Sequence, residues 1–243
     1  MPKNDPPAVP DAARASATRG SADAAGRRRH AVEPASLAAR LRAATQAAHQ
    51  RLDHHPALAP LIRPDLRRDH YGRVLGAFAW VYRTLDPAFE DALRRLCPDT
   101  TYRSSDRSRW LVEDLSHFEH GDRALPPWPA PKIDTVAALV GRLYAIEGST
   151  LGGQVIARQL QASLGVGPSS GARIFHGHGE ATAARWQEFQ DFAAWACAAD
   201  DAAKACAAAD AMFGELEQLL DLWFEPSGSS LPHPPVPSPL ALA

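Results

Sequence analysis

The chain has 243 residues, and its 26 Lys and Arg residues against 28 Asp and Glu residues give a formal net charge of −2. This balance provides no basic surface of the kind that binds nucleic acid. No apolar run reaches the roughly 20 residues that span a bilayer, and the N-terminus lacks the apolar segment of a signal peptide. Its three cysteines are widely separated and do not form a disulfide pattern, so we expect a cytoplasmic protein.

The two ends of the chain differ in composition from the middle. Residues 1–34 are rich in Ala, Pro, Gly, Ser and charged residues without apolar periodicity, and residues 226–243 are rich in Pro and Ser. Such segments bury too little apolar surface to offset the entropy that is lost on ordering them. We therefore predict two disordered tails around a single folded domain that spans residues 35–225.

The folded interval is dominated by strong helix formers, with apolar residues three and four positions apart, which predicts an all-α domain of six or seven helices. Ser36 is the expected N-cap of a first helix that ends before Pro56. A second helix begins near Arg67. Pro87 is expected to kink or interrupt it, because proline lacks the backbone N–H that a helix interior needs.

Four further helices complete the prediction. One spans about residues 105–119, and a proline-rich loop follows at 125–131. Asp134 is the expected cap of a long fourth helix that runs to about Leu164, and the last two helices span about 180–199 and 203–224. No strand pattern and no internal repeat is present.

The fourth helix contains an unusual glycine cluster. Residues 143–156 read LYAIEGSTLGGQVI, and helical apolar spacing continues on both sides of Gly148, Gly152 and Gly153. Each glycine inside a helix costs about 1 kcal/mol relative to alanine. Three explanations remain open: another helix packs closely on Gly148 and Gly152, a flat ligand lies against the bare backbone, or Gly152–Gly153 is a hinge between two helices.

The first helix contains a histidine at a position where we expect a side chain to face the core. The residues assigned to one side of that helix are Leu41, Thr45, Ala48, His49 and Leu52. An imidazole placed there is either a hydrogen-bonded core residue or an axial ligand of a metal. Arg42 lies seven residues before His49, where its cation can meet a ligand carboxylate.

Together these segments resemble the heme oxygenase family, most nearly the bacterial branch found beside bacteriophytochromes. Residues 44–53 are similar to that family's proximal-ligand motif, and residues 144–155, YAIEGSTLGGQV, are similar to its glycine-bearing distal helix. RSRWLVEDL at 107–115 and FHGHGEATAARWQEF at 175–189 also match the family layout, and the likeness covers about residues 37–224. His176 and His178 depart from it, because relatives more often have aromatic residues there. Their loop is expected at the end of the helical core, away from the heme site.

The resemblance implies a site for heme b, which is both substrate and cofactor, between the first and fourth helices. His49 is the implied iron ligand, and the implied catalytic residues on the other side of the heme are Gly148, Ser149 and Gly152. The implied contacts of the heme itself are Arg42, Tyr144, Gly148, Gly152, Gly153 and, as a weaker candidate, Arg185. No histidine or carboxylate is evident at 148–152, so ordered water held by the backbone and by Ser149 is the expected proton source.

The implied reaction cleaves the porphyrin ring of heme with O2 and external electrons to give biliverdin, carbon monoxide and ferrous iron. The implied partners are a ferredoxin or reductase as electron donor and a bacteriophytochrome as biliverdin acceptor. The alternative is a module that stores, delivers or senses heme without turnover. A third reading, a thiaminase-like or di-iron enzyme, is supported only by the i, i+4 pair Glu113 and His117 beside Asp114, for which the sequence offers no matching second pair.

Overall fold

A computed structural model describes residues 36–118 and 125–225, and both predicted tails lie outside these ranges. The described residues form seven α-helices and no strand, which confirms the predicted all-α fold. The helices are α1 Leu37–Asp53, α2 Arg68–Leu96, α3 Arg107–Leu115, α4 Val136–Leu164, α5 Arg173–His176, α6 Thr182–Ala196 and α7 Ala202–Phe224. Short 3₁₀ turns lie at Ala59–Ile62, Gly179–Ala181 and Ala199–Asp201. None of the described helices is both long enough and apolar enough to span a membrane.

The helix starts follow local capping chemistry. The Ser36 hydroxyl accepts a hydrogen bond from the Ala39 amide at 3.3 Å, as predicted for α1. The predicted cap of α4 is wrong by one residue, because Thr135 Oγ1 accepts from the Ala138 amide at 3.1 Å. Asp134 instead lies 3.1 Å from the Lys132 ammonium.

Pro87 does not interrupt α2, because α2 is one helix from Arg68 to Leu96, and the kink stays a prediction. Proline in a helix interior costs about 3 kcal/mol. On either side of Pro87, however, α2 buries large apolar side chains, including Leu85 and Phe89. Each such burial contributes about 1.5–3 kcal/mol, so tertiary packing of both halves outweighs the local cost.

Helix α4 crosses the middle of the domain, and its closest neighbour is α7. A Cβ atom on Gly141 would lie 2.1 Å from the Ala205 carbonyl oxygen, so the two backbones touch at a position that only glycine can occupy. Ala205 and Ala209 of α7 are completely buried in this contact. Helix α1 also packs on α7, and therefore α7 supports both helices that the sequence assigns to the site.

A buried carboxylate anchors the segment that follows α4. Asp114 of α3 accepts hydrogen bonds from the backbone amides of Arg173 at 2.6 Å and Ile174 at 2.8 Å, at the start of α5. Glu113 pairs with Arg109 on its own helix at 3.3 Å. Within the described ranges, no three His, Cys, Asp or Glu residues are placed to hold a metal. The described residues therefore give no support to the di-iron reading.

Candidate functional site

Two of the three clustered glycines are not explained by packing. Helix α4 is continuous through all three, which rules out the hinge reading. A Cβ on Gly152 would have no atom of the described chain within 4 Å, and one on Gly148 would meet only Trp186, at an ordinary 3.7 Å. Gly152 has no packing neighbour, and Trp186 of α6 leaves room for a methyl group at Gly148, so close helix packing does not require glycine at either position. The ligand explanation remains.

Gly153 differs from the other two. A Cβ placed there would lie 2.7 Å from the Phe175 carbonyl oxygen, and the residue is buried. The next residue, Gln154, donates from Nε2 to the His176 carbonyl at 2.7 Å. Gly153 is thus required for close packing of the 165–179 loop on α4. The structure does not bring it to the side of the helix that Gly148 and Gly152 occupy.

One strip of the exposed surface of α4 is apolar. Leu151 is 43% exposed and Val155 is 53% exposed, which is unusual for large apolar side chains on a central helix. With Gly148 and Gly152 they follow the i, i+3, i+4, i+7 spacing of one helix face. We call Gly148, Leu151, Gly152 and Val155 the open face of α4. Exposed apolar side chains beside two glycines make this face a candidate ligand surface.

Ser149 lies at the edge of the open face and is itself exposed. Its hydroxyl donates to the Ile146 carbonyl at 2.7 Å, in the preceding turn of the same helix. The hydroxyl proton is therefore used, while the oxygen lone pairs remain able to accept a hydrogen bond. Ser149 can accordingly hold a water molecule at this surface.

The prediction that His49 faces the core is wrong. Its side chain is 58% exposed, whereas Leu41, Ala48 and Leu52 are buried. Consecutive residues of a helix are turned by about 100°, so the position after Ala48 lies at the border of the buried stripe rather than within it. His49 shares this border with Arg42, and both are open to a ligand.

The His49 imidazole is nonetheless held in place. Nδ1 lies 2.9 Å from Oδ2 of Asp53, one turn later on α1, and the ring packs against Phe213 of α7 with centroids 5.7 Å apart. A carboxylate at Nδ1 favours the tautomer with its proton on that nitrogen, which leaves the lone pair of Nε2 available to a metal. Among the described residues, the His49 side chain makes its contacts through Nδ1 and the face of its ring.

Helices α1 and α4 meet at Tyr144. Burial raises the pKa of Tyr144, and this effect is opposed by a hydrogen bond with Thr45 and by the charge of Arg42. His49 follows Thr45 by one turn of α1, and Gly148 follows Tyr144 by one turn of α4. Arg42 therefore influences Tyr144 through its charge, while the exposed imidazole lies one turn beyond Thr45 on α1 and the open face begins one turn beyond Tyr144 on α4.

Comparison with known proteins identifies the family of the chain. The profile of the family described as Heme oxygenase matches residues 35–221. The chain belongs to the heme oxygenase family. Heme oxygenase membership supports a heme-degrading oxidoreductase that binds heme and uses O2 with a reductant. No curated protein sequence matches the chain significantly.

Solved structures of two bacterial heme oxygenases share the fold. The NO- and CO-bound heme oxygenase of Neisseria meningitidis is 23% identical, with a TM-score of 0.62, over 81% of this chain and 96% of that one. The heme oxygenase of Leptospira interrogans is 17% identical, with a TM-score of 0.61, over 77% of this chain and 100% of that one. At these identities the likeness concerns the heme oxygenase fold alone.

Arg185 is engaged elsewhere in this heme oxygenase fold. Its Nη2 donates to the Arg103 carbonyl at 2.8 Å, and its Nη1 pairs with Glu188 on the same helix. Its neighbour Trp186 does reach the site, because its ring packs on Tyr144 with centroids 5.7 Å apart and lies closest to Gly148. Arg185 is therefore not assembled with Arg42 and Tyr144 in the structure.

The loop that contains His176 and His178 packs on α4. His178 Nε2 lies 2.8 Å from Ser105 Oγ, and its ring meets Trp110 edge-on at 5.1 Å. Burial and the nearby Arg185 lower the pKa of His178. Since the loop lies against Gly153 and Gln154, it touches the distal segment on a side other than the open face.

Sequence reasoning missed several residues in and around the candidate site. Trp186 lay within a matched segment, but nothing in the pattern indicated that it would face Gly148. Asp53 was visible in the motif, although its contact with His49 depends on the exposed orientation of the imidazole. Phe213 had no sequence signal. Glu147 was detectable as an acid inside an apolar run. Its ion pair with Arg107, at 3.0 Å, had no sequence signal because Arg107 lies on another helix, α3.

Proposed function

We propose that this protein is a heme oxygenase that opens the porphyrin ring of heme b, with O2 and electrons from a separate ferredoxin or reductase, and releases biliverdin, carbon monoxide and ferrous iron. The observation that carries the proposal is the open face of α4. Gly148 and Gly152 each cost about 1 kcal/mol of helix stability, no neighbour requires glycine at either position, and both share a helix face with exposed Leu151 and Val155. A flat apolar ligand covers such a surface and needs the backbone bare.

The residues present fit heme chemically. The flat ring requires an apolar surface without protruding side chains, which Gly148 and Gly152 supply. The iron requires a neutral imidazole nitrogen, and His49 offers Nε2 while Asp53 orients the ring through Nδ1. The heme carboxylates require a cation or hydroxyl donor, which Arg42 and Tyr144 supply at the meeting point of α1 and α4.

When bound, heme supplies both the iron that activates O2 and the ring carbon that is oxidised. The protein's own part is to limit acid chemistry beside the open face. The hydroxyls of Ser149 and Thr150 donate to the carbonyls of Ile146 and Glu147, each at 2.7 Å. Both hydroxyl protons are therefore used in these hydrogen bonds. Protons reach the site through a water molecule that donates a hydrogen bond to the Ser149 oxygen. Leu151 and Val155 keep the rest of this surface apolar.

Two finer proposals follow from the sequence resemblance. The protein acts in the cytoplasm, where a reductase can supply electrons, and a bacteriophytochrome accepts the biliverdin. The likeness to the bacteriophytochrome-associated branch supports the acceptor.

A turnover experiment tests the main proposal. The purified full chain is mixed with hemin, ferredoxin, ferredoxin reductase and NADPH under air, and the absorbance spectrum is followed. We expect the Soret band to disappear and biliverdin to be recovered by chromatography. Tight heme binding with an unchanged Soret band would instead establish the storage, delivery or sensor alternative.

A pair of histidine variants tests the axial ligand. His49→Ala removes the proposed iron ligand, so we expect an altered heme spectrum that added imidazole partly restores. His54→Ala is the matched control, because His54 is also exposed at the end of α1 and bonds only to the Gln50 carbonyl in the described chain. A wild-type spectrum for His49→Ala would exclude His49 as the ligand.

A further inference from the structure

A buried ion pair lies directly behind the open face. Arg107 of α3 and Glu147 of α4 are 2% and 8% exposed, and Arg107 Nη2 lies 3.0 Å from Glu147 Oε2. The Tyr102 hydroxyl donates to the other carboxylate oxygen at 2.9 Å. Burial opposes ionisation of Glu147, but the charge and hydrogen bonds of Arg107 and the bond from Tyr102 hold its pKa below the usual value. Glu147 immediately precedes Gly148.

The same guanidinium also binds the helix backbone. Arg107 Nη2 donates to the Ile146 carbonyl at 3.2 Å, and this carbonyl also accepts the Ser149 hydroxyl at 2.7 Å. Hydroxyls that bond back to the preceding turn tend to bend a helix. Arg107 is therefore tied to α4 through both a side chain and a main-chain oxygen, within one turn of Gly148 and Ser149.

A buried ion pair rarely adds net stability, because removing two charges from water costs as much as their attraction returns. Its best-attested benefit is to specify one arrangement of the surrounding elements. Here the arrangement concerns a helix segment that three glycines weaken and that a ligand must approach. We propose that Arg107 and Glu147 are positioning residues that hold the backbone at 146–152, and with it Ser149, in the conformation that binds heme. This inference rests on the heme function proposed above.

The same helix offers a matched control. Arg142 of α4 pairs with Glu215 of α7 through two bonds, Nη1 to Oε2 at 2.7 Å and Nη2 to Oε1 at 2.8 Å. This pair is also partly buried, at 12% and 30% exposure. It ties α4 to α7 rather than to α3, at a position that precedes the glycine cluster at 148–153. Breaking it therefore disturbs α4 without releasing the Ile146 carbonyl.

The experiment compares Glu147→Gln with Glu215→Gln in the full chain without heme. Hydrogen–deuterium exchange is measured for amides 146–152, and hemin affinity and the Soret band are then measured by titration. For Glu147→Gln we expect exchange at these amides to rise about tenfold and hemin affinity to fall about tenfold, with a shifted Soret band. For Glu215→Gln we expect these amides and the Soret band to remain as in the unmodified chain.

A second variant keeps the test decisive if Glu147→Gln does not fold. The double variant Arg107→Met/Glu147→Met removes both charges and retains apolar volume, a replacement that buried pairs tolerate. The same rise in exchange at 146–152 is expected in a folded protein. Exchange and a Soret band equal to those of Glu215→Gln would overturn the proposal. Because exchange is measured without heme, failure of the proposed function appears separately, as a wild-type chain that leaves heme intact.

Discussion

Replacing the clustered glycines one at a time separates a ligand surface from a packing surface. In Gly152→Ala the new methyl group meets nothing in the described chain within 4 Å, and in Gly148→Ala it meets only Trp186 at 3.7 Å. Neither change has a steric cost, so each should stabilise the heme-free protein by about 1 kcal/mol through helix propensity. For a domain of this size that corresponds to a rise in Tm of about 2–4 °C.

The adjacent glycine should behave in the opposite way. In Gly153→Ala the methyl group would lie 2.7 Å from the Phe175 carbonyl oxygen, which belongs to the backbone and cannot swing aside. Overpacking of this kind costs about 1–3 kcal/mol, and contact with fixed backbone places the cost in the upper part of this range, above the gain of about 1 kcal/mol in helix propensity. Gly153→Ala should therefore lower Tm, although it differs from Gly152→Ala by only one position.

The assay is thermal unfolding of the heme-free variants by circular dichroism, followed by hemin titration. Gly148→Ala and Gly152→Ala should be more stable than the unmodified chain yet bind hemin more weakly and turn it over more slowly, because the methyl group occupies the ligand surface. A Gly152→Ala protein with a lowered Tm would show that the position is packed. A more stable variant with unchanged hemin affinity would show that the open face is not the heme site.

Three further predictions concern ionisation and buried polar contacts. Burial raises the pKa of Tyr82 to about 12, above its unfolded value near 10, so its stabilising contribution should be complete below pH 10 and be lost as the pH rises toward 12. Urea unfolding between pH 7 and 11 checks this, and fully ionised tyrosines in a folded protein at pH 11 would contradict it. Asp114→Ala leaves two backbone amides of the α5 start without their acceptor and should cost about 1–3 kcal/mol in urea unfolding; equal stability would refute that role. His178→Phe removes the contact with Ser105 and should cost about 1 kcal/mol while hemin affinity stays within about twofold, and a much larger loss of affinity would connect this loop to heme.

The number and order of the helices could be predicted from the sequence because their causes are local. The Ser36 cap, the apolar spacing of α1 and the continuation of α4 through its glycines all depend on residues within a few positions of one another. The family likeness was also readable, because its two main motifs are each contained in one helix. The same local rules failed at Pro87, where burial on both sides keeps α2 continuous.

The role of each site residue was decided only by the tertiary structure. Sequence spacing could not tell Gly152 from Gly153, because the difference is whether the Phe175 carbonyl lies beside the position. Sequence spacing also placed His49 on the buried side of α1. Consecutive helix positions differ by about 100°, and which of them is buried depends on where α7 packs. The spacing gave no partner for Glu147, because Arg107 is 40 positions away in the chain. Helix formation depends on neighbours in sequence, whereas burial, charge pairing and access for a ligand depend on neighbours in space.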